Sequence, residues 1–161
     1  MAKAKAKAGK TTTTDDGTID VATIDELILR GGTGKQAPAA RSELRKLPAD
    51  QVVPRLVIAF GDQRPRVRGF AYEVSTETPE MRALTPIDKL LAGLSDRDPD
   101  VRLSVLTCLN RGFGPKNEAV YAPQADQLKK ALTPLLNDSD KRVKSQSTIV
   151  WGRLGLGTPP A

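Results

Sequence analysis

The strongest constraint on this chain is a seven-residue pattern that recurs along it: aspartate, two variable residues, proline, a variable residue, valine and arginine. It is complete in residues 62–68 (DQRPRVR) and 96–102 (DRDPDVR), and degraded in residues 138–144 (DSDKRVK). A weaker copy aligns without gaps on Ala40, which takes the place of the valine. Eleven residues before the valine or alanine, every copy has a leucine: Leu29, Leu56, Leu90 and Leu132. Such repetition predicts a stacked array, in which each unit buries its apolar face against its neighbours.

The central copy predicts two helices joined by a short turn. Thr85, Pro86 and Asp88 combine a capping hydroxyl, a proline that needs no hydrogen-bond acceptor and a carboxylate at the positive helix end. The apolar residues after them recur at intervals of three and four, which indicates one helical stripe: Ile87, Leu90, Leu91 and Leu94. Residues 95–98 are predicted to turn, and Asp98 to cap a second helix. The inward stripe of that helix is Val101, Val105, Cys108 and Leu109.

The same spacing predicts helices over residues 19–30, 39–47, 52–60, 66–75, 128–136 and 142–154. Thr23 is expected to cap the first, Pro54 to stand near the start of the third, and Pro134 to kink the fifth. Trp151 is expected to fill the C-terminal core, because it matches Leu109 of the central unit.

The units therefore span approximately residues 19–48, 49–79, 84–112 and 125–155. Residues 76–81 are predicted to connect two units. Residues 111–126 form the longest connection, which is either slack or a binding loop. Residues 1–18 are expected to be a disordered tail rich in lysine and threonine, and residues 156–161 to fray. The ends show no obviously polar capping helix, which leaves edge-to-edge association of copies open.

The repeated motif and its leucines resemble the HEAT-repeat superfamily, including the HEAT-like repeats of phycobilin lyases, over residues 19–155. The resemblance implies an all-α fold, an α-α superhelix or solenoid of about four helical hairpins. It also implies a ladder between repeats, formed by the turn aspartate and the arginine after the valine. In this chain the ladder would use Asp62 with Arg68, Asp96 with Arg102, and Asp138 with Lys144. The first unit has Lys35 in place of the aspartate and departs from the pattern.

In that family the second helix of each pair lines the concave face. Its solvent-facing positions, three and six after the aligned residue, would hold Glu43, Lys46, Phe70, Glu73, Ser104, Thr107, Gln146 and Ile149. This mixed strip has no row of arginines, so it suits a protein or peptide better than a phosphate backbone. We therefore expect a non-enzymatic interaction module, a scaffold or adaptor, that holds a protein partner along this strip. The expected contacts are Phe70, Glu73, Thr107 and Arg111.

Two alternatives stay open. The formal charge of the chain is +6, and the tail carries four lysines that could contact nucleic acid or another polyanion: Lys3, Lys5, Lys7 and Lys10. The same lysines could equally serve solubility alone. A HEAT-like lyase or DNA glycosylase is the other alternative, and it rests on analogy of fold.

The composition argues against much catalytic chemistry. With no histidine and one cysteine, the chain cannot form an intrachain disulfide, a histidine base or a Cys/His zinc site. Asp96, Asp98 and Asp100 have calcium-loop spacing, but Val101 and Thr107 stand where that loop needs glycine and glutamate. The GGTGK segment of residues 31–35 fails the phosphate-loop pattern because a helix precedes it. No catalytic residue, cofactor or metal is predicted.

The sequence also bears on location. It shows neither an apolar run long enough to span a membrane nor an apolar leader after its first lysines. Together with the lone cysteine, this predicts a cytoplasmic protein without membrane contact.

Overall fold

The computed structural model describes residues 19–112 and 122–160. Within these ranges the regular structure is helical and no strand is formed, so the all-α prediction is confirmed. The helices are α1 (Val21–Gly31), α2 (Ala37–Leu44), α3 (Ala49–Ala59), α4 (Pro65–Ser75), α5 (Pro79–Leu84), α6 (Ile87–Ala92), α7 (Pro99–Gly112), α8 (Ala125–Leu132) and α9 (Lys141–Arg153). Short 3₁₀ turns occupy Gly93–Ser95, Ala122–Gln124 and Thr133–Asn137. None of these helices is both long and apolar enough to cross a membrane.

The helices pack in the order in which they follow one another. Helix α1 packs on α2 and α3 on α4, while α4, α7 and α9, the second helices of successive units, lie side by side. This arrangement is compatible with a superhelix of helical hairpins. It brings the N-terminal ends of α4, α7 and α9 to one edge of the array, because each of these helices follows its turn aspartate at the same spacing.

Two hydrophobic clusters form the core. The first extends from Ile19 to Met81 and the second from Tyr72 to Leu156. Phe60 packs against both clusters, and its ring stacks on that of Tyr72 with the centroids 3.9 Å apart. The clusters are therefore continuous through this aromatic pair, which joins the first two units to the last two.

Several helix starts differ from those predicted. Asp20, not Thr23, caps α1, because its carboxylate accepts a hydrogen bond from the Ala22 N–H at 3.0 Å. The Thr85 hydroxyl does not cap α6; it lies 2.8 Å from the carbonyl oxygens of both Ser75 and Met81 and points back along the chain.

The connection predicted at residues 76–81 is partly helical. Thr78 caps α5 by accepting a hydrogen bond from the Met81 N–H at 3.2 Å. The threonine-proline pair at residues 78–79 provides this start, since proline suits the first helical position. The side chain of Met81 is buried in the first cluster, which explains why this short helix is held in place.

The bounds of two other helices, α2 and α3, differ from those predicted. Helix α3 begins at Ala49, not Val52, so Pro54 lies inside the helix rather than near its start. Helix α2 covers Ala37–Leu44, two residues earlier at its beginning and three earlier at its end than predicted. At the other end of the molecule, α8 gives way to a 3₁₀ turn that contains Pro134, where the sequence predicted a kink.

The C-terminal segment is held by Trp151. This side chain is 3% exposed, as predicted, and its indole N–H donates to the Gly157 carbonyl oxygen at 2.9 Å. Gly155 and Gly157 take positive φ values of 62° and 85°, which allow the chain to turn back over the tryptophan. Leu156 is buried in the second cluster. The prediction that residues 156–161 fray is therefore wrong for Leu156 and Gly157.

The outer face of α9 is polar, contrary to the prediction that the ends lack a polar helix. Five residues after the aligned valine, the inner units bury Tyr72 and Leu106, whereas α9 exposes Thr148. Two residues after it, α7 packs Leu103 against the core and α9 exposes Ser145. A polar outer face is what the terminal unit of a helical array requires.

Substitution of Gly93 tests the packing between the second and third units. A Cβ atom at this position would lie 2.5 Å from Tyr72 Cζ and 2.7 Å from Val105 Cγ2, both in the buried core. We expect Gly93→Ala to lower the free energy of unfolding by about 1–3 kcal/mol, because a well-packed core does not accept an extra methyl group. Urea denaturation followed by circular dichroism measures this change.

Gly152→Ala is the matched control. Gly152 lies in α9 with no heavy atom within 4 Å of an added Cβ. This substitution should stabilise the protein by about 0.4–1 kcal/mol, as alanine reduces the freedom of the unfolded chain. Equal effects of the two substitutions would contradict the packing described.

Candidate functional site

A groove of about 350 Å³ crosses α2, α4 and α7 near the starts of these helices. Its floor and walls consist of small or apolar residues: Gly31, Gly32, Gly34, Ala37, Pro65, Gly69 and Phe70. Its polar residues comprise charged groups of both signs and one hydroxyl: Arg41, Arg66, Glu73, Asp98, Asp100 and Ser104. We call this surface the interaction groove. It is the candidate functional site because it draws on three successive units.

Glycines allow the helices to approach one another beneath the interaction groove. A Cβ atom on Gly31 would lie 2.1 Å from Phe70 Cε1, and one on Gly69 would lie 3.1 Å from Ser104 Oγ. The end of α1 therefore covers the Phe70 ring, which is only 6% exposed. The predicted solvent-facing orientation of Phe70 is wrong, because its ring belongs to the first hydrophobic cluster, although the residue lines the interaction groove.

Glu73 lies at the centre of a polar network in the interaction groove. Its carboxylate accepts hydrogen bonds from the Arg41 guanidinium and, at 2.9 Å, from the Ser104 hydroxyl. The Arg41 guanidinium also lies 5.8 Å above the Phe70 ring centroid and 3.5 Å from Glu77 Oε2. That buried oxygen has no hydrogen bond, so its contact with Arg41 is purely ionic. These contacts tie α2, α4 and α7 together and fix the groove's polar groups before any ligand arrives.

The remaining charges of the interaction groove lie at its edge. Arg66 is exposed. Asp98 caps α7, as predicted, because its Oδ1 accepts from the Asp100 N–H at 2.9 Å. Asp100 lies 3.0 Å from Arg142 Nη1 but is 75% exposed, so this pair is weak. Asp98, Asp100 and Arg66 are therefore the charged groups that an incoming ligand can reach first.

The three aspartates with calcium-loop spacing do not converge. Asp96 accepts from Arg68 and lies outside the lining of the interaction groove, while Asp98 caps α7 and Asp100 faces Arg142. Across residues 19–112 and 122–160, no group of three His, Cys, Asp or Glu residues is placed to hold a metal ion.

The predicted contact residues are only partly brought together. Glu73 lines the interaction groove, but Thr107 and Arg111 do not. The Thr107 hydroxyl donates to the Leu103 carbonyl oxygen of its own helix at 2.9 Å, and Arg111 is exposed near the end of α7. Farther along the predicted strip, Lys46 and Ile149 are exposed. The tail lysines, Lys3, Lys5, Lys7 and Lys10, and most of the 111–126 connection lie outside the described residues.

Arg41 is the principal site residue that the sequence analysis missed. It occupies the ladder position of the first unit, yet it is drawn towards the end of α4 by Glu73 of that helix and by Glu77, which follows the helix. Two glutamates close together at this helix end were an available signal for a basic partner.

Cys108 is buried where the predicted apolar stripe places it. Burial raises the pKa of its thiol to about 12, and the thiol donates to the Tyr72 carbonyl oxygen at 3.2 Å. At neutral pH it is therefore a protonated core side chain.

The ladder joins each arginine to the turn of the next unit. Arg68 donates from Nε and Nη2 to the two carboxylate oxygens of Asp96, both at 2.7 Å, and from Nη1 to the Asp62 carbonyl oxygen at 2.8 Å. In the same way, Arg102 donates to Asp138 Oδ1 at 2.7 Å and to the Asp96 carbonyl oxygen at 2.8 Å. In the ladder predicted between repeats, Asp62 was paired with Arg68 and Asp96 with Arg102. The carboxylates of these pairs do not meet, because the side-chain partner of each arginine belongs to the following unit.

The ends of the ladder differ from its middle. The Asp62 carboxylate accepts from Arg64, two residues later, and not from an arginine of the first unit. Lys144 is exposed, and its ammonium forms no ion pair within the described ranges. The predicted Asp138–Lys144 pair is therefore not formed, because Asp138 faces Arg102.

Compared with protein-family models, curated proteins and solved structures, this chain has no match. Its candidate site is therefore argued from its own geometry.

Asp96→Asn tests the ladder through pH dependence. Burial disfavours the Asp96 carboxylate, but hydrogen bonds from Arg68 and the Asp98 N–H outweigh burial and lower the pKa. A carboxylate with a lowered pKa stabilises the fold above the ordinary aspartate pKa of about 3.9, and this stabilisation is lost as the pH falls. We expect the substitution to cost about 3 kcal/mol at pH 7, because it leaves Arg68 buried and unpaired.

The measurement is urea denaturation at several pH values. The gap in unfolding free energy between the unsubstituted protein and Asp96→Asn should shrink from about pH 5 downward. Glu26→Gln, at an exposed position of α1, is the control and should change stability by less than about 0.5 kcal/mol. A gap that stays constant down to about pH 2 would show that the ion pair is not its source.

Proposed function

We propose that this protein is a non-enzymatic, HEAT-like interaction module that binds an extended protein segment in the interaction groove. The supporting observation is the groove's polar network, in which Glu73 of α4 is bonded to Arg41 of α2 and Ser104 of α7. A site held by helices of three successive units is rigid before binding, so a flexible ligand bears most of the entropic cost of ordering.

The groove lining favours a peptide over a phosphate backbone. Three carboxylates and two arginines line it, and Arg41 is already paired with Glu73, which leaves Arg66 as the groove arginine available to a ligand. A nucleic-acid surface would present several unpaired cations to phosphates. A peptide carries amide donors, carbonyl acceptors and side chains of either sign, which matches this mixed lining.

The glycines give the ligand backbone room to approach. Gly34 has a φ of 79° and no heavy atom within 4 Å of an added Cβ, so this stretch of the groove is open. Extended segments bind such surfaces through main-chain hydrogen bonds, while pockets for alternate side chains give specificity. In the proposed complex, Asp98 and Asp100 select a basic side chain and Arg66 selects an acidic one.

Such a module acts by binding alone, as a scaffold or adaptor. The roles proposed for Asp98, Asp100 and Arg66 are charge recognition, and none requires proton transfer or a cofactor. With one buried cysteine and no disulfide, the module suits the reducing cytoplasm.

Peptide selection provides the test. Peptides selected from a random display library against the full chain should shift the backbone amide NMR signals of Gly31, Gly34, Gly69 and Ser104. Arg66→Glu should weaken the binding of such a peptide about five- to tenfold, because it replaces a hydrogen-bond donor by a carboxylate that repels the acidic side chain of the ligand. Affinity measured by fluorescence anisotropy gives this ratio.

Lys89→Glu makes the same charge change at an exposed position of α6, outside the groove, and should leave the affinity unchanged. Deleting residues 1–18 should also leave peptide binding intact. The proposal fails if the selected peptides bind Arg66→Glu as well as the unsubstituted chain. It also fails if the chain binds oligonucleotides but no peptide, and if deletion of residues 1–18 abolishes the oligonucleotide binding.

A further inference from the structure

The three turn aspartates present their carboxylates in the same way. Each accepts a hydrogen bond from the backbone N–H two residues later: Asp62 from Arg64 at 2.8 Å, Asp96 from Asp98 at 2.9 Å, and Asp138 from Asp140 at 2.8 Å. Asp96 and Asp138 then receive an arginine from the preceding unit. Each of these turns is therefore a binding site for a guanidinium, and at Asp96 and Asp138 the guanidinium comes from the preceding unit.

Asp62 lacks this external arginine. The residue that should supply it, Arg41, is held by Glu73 and Glu77 on the other side of α4. Instead Arg64 folds back and donates from Nε and Nη2 to Asp62 at 2.8 and 2.7 Å. The Arg64 side chain is 60% exposed, whereas the ladder residue Arg68 is 7% exposed. Arg64 thus covers Asp62 from the solvent side, and its exposed ion pair contributes little.

An open cleft lies beside Asp62, between α1 and α3. Its volume is about 420 Å³, and two exposed aliphatic side chains line it, Leu29 at 40% and Ile58 at 62%. Leu29 is the repeat leucine of the first unit. Its counterparts are the leucines Leu56, Leu90 and Leu132, which are at most 1% exposed. The apolar wall and the aspartate therefore lie side by side, where the first unit meets the second, and both Leu29 and Asp62 depart from the repeat pattern.

We propose that this cleft binds a partner segment presenting an arginine beside an aliphatic side chain. The guanidinium takes the ladder position on Asp62 and releases Arg64 to solvent, while the aliphatic group covers Leu29 and Ile58. Arginine is favoured over lysine because its planar fork donates two parallel hydrogen bonds to a carboxylate, as Arg68 does to Asp96. This surface is separate from the interaction groove, and the inference does not depend on the proposed function.

The other charges around the cleft are already matched. Asp25 and Arg55 form an ion pair on its wall, and Arg68 is held by Asp96. The Arg64 side chain, through its hydrogen bonds, lowers the pKa of Asp62 to about 2, so the carboxylate is ionised at neutral pH and able to accept the incoming guanidinium. Charge complementarity at Asp62 is therefore kept when the exposed Arg64 is exchanged for an arginine of the partner, which the rest of the partner covers.

The probe is a short capped peptide, acetyl-Ala-Leu-Arg-Leu-Ala-amide, titrated into the full chain and followed by NMR. We expect shifts at the backbone amides of Leu29, Ile58 and residues 61–64. Asp62→Asn should weaken binding about tenfold, and Arg64→Ala should strengthen it about threefold, since the internal competitor is removed. Replacing the arginine of the probe by citrulline, which has the same shape without the charge, should abolish binding.

Asp88→Asn is the matched control, as it removes one exposed carboxylate from α6 and should leave the affinity unchanged. Ile58→Ser provides a second variant at an exposed site, in case Asp62→Asn weakens the turn; it should weaken binding without lowering the melting temperature. The inference is overturned if the probe shifts only Gly69 and Ser104, or if Arg64→Ala weakens binding. The inference is also overturned if the chain self-associates and Ile58→Ser abolishes this self-association, because a second copy of the chain would then fill the cleft.

Discussion

The buried ion pair between Arg68 and Asp96 governs how the units of this protein stack. Its side chains are 7% and 11% exposed, and Arg68 also bonds to the carbonyl oxygens of Asp62 and Gln63 in its own turn. A buried ion pair adds little net stability compared with apolar packing, but breaking it leaves a buried charge. A slip of α7 along α4 would separate Arg68 from Asp96. The ladder therefore selects one register, and the groove geometry follows from that register.

A single redirected side chain of the first unit, Arg41, contributes to both candidate surfaces. Arg41 stands where the ladder arginine belongs, but Glu73 and Glu77 attract it to the side of α4 that lines the interaction groove. On that side it completes the polar network of the interaction groove. On the opposite side its absence leaves Asp62 with Arg64 alone and opens the cleft lined by Leu29 and Ile58. The two candidate surfaces thus have one physical origin, the presence of Glu73 on α4 and of Glu77 just after this helix.

Much of the fold was predictable because it depends on local spacing. Apolar residues at intervals of three and four located the helices, and the position of Asp98 before Pro99 located the start of α7. The carboxylate partner of Arg68 was not predictable in this way: Asp62 is six residues away in sequence and Asp96 is 28, and only the stacking of the units decides between them. The burial of Phe70 was hidden for the same reason, because it depends on the close approach of Gly31 from another helix.

The two ends of the array differ in what they offer a partner. Helix α9 exposes Lys144 and Thr148 where the third unit has Arg102 and Leu106, so its outer face is polar. At the ladder position it has an ammonium in place of the guanidinium that donates two parallel hydrogen bonds to a carboxylate. The first two units instead expose Leu29 and Ile58 beside Asp62, whose carboxylate, among residues 19–112 and 122–160, accepts hydrogen bonds from its own turn alone. Exposed aliphatic area gains free energy when a partner covers it, whereas solvated lysine and threonine gain little. Both proposed binding surfaces therefore lie in the first two units and at the edge of the third, where the repeat departs from its own pattern.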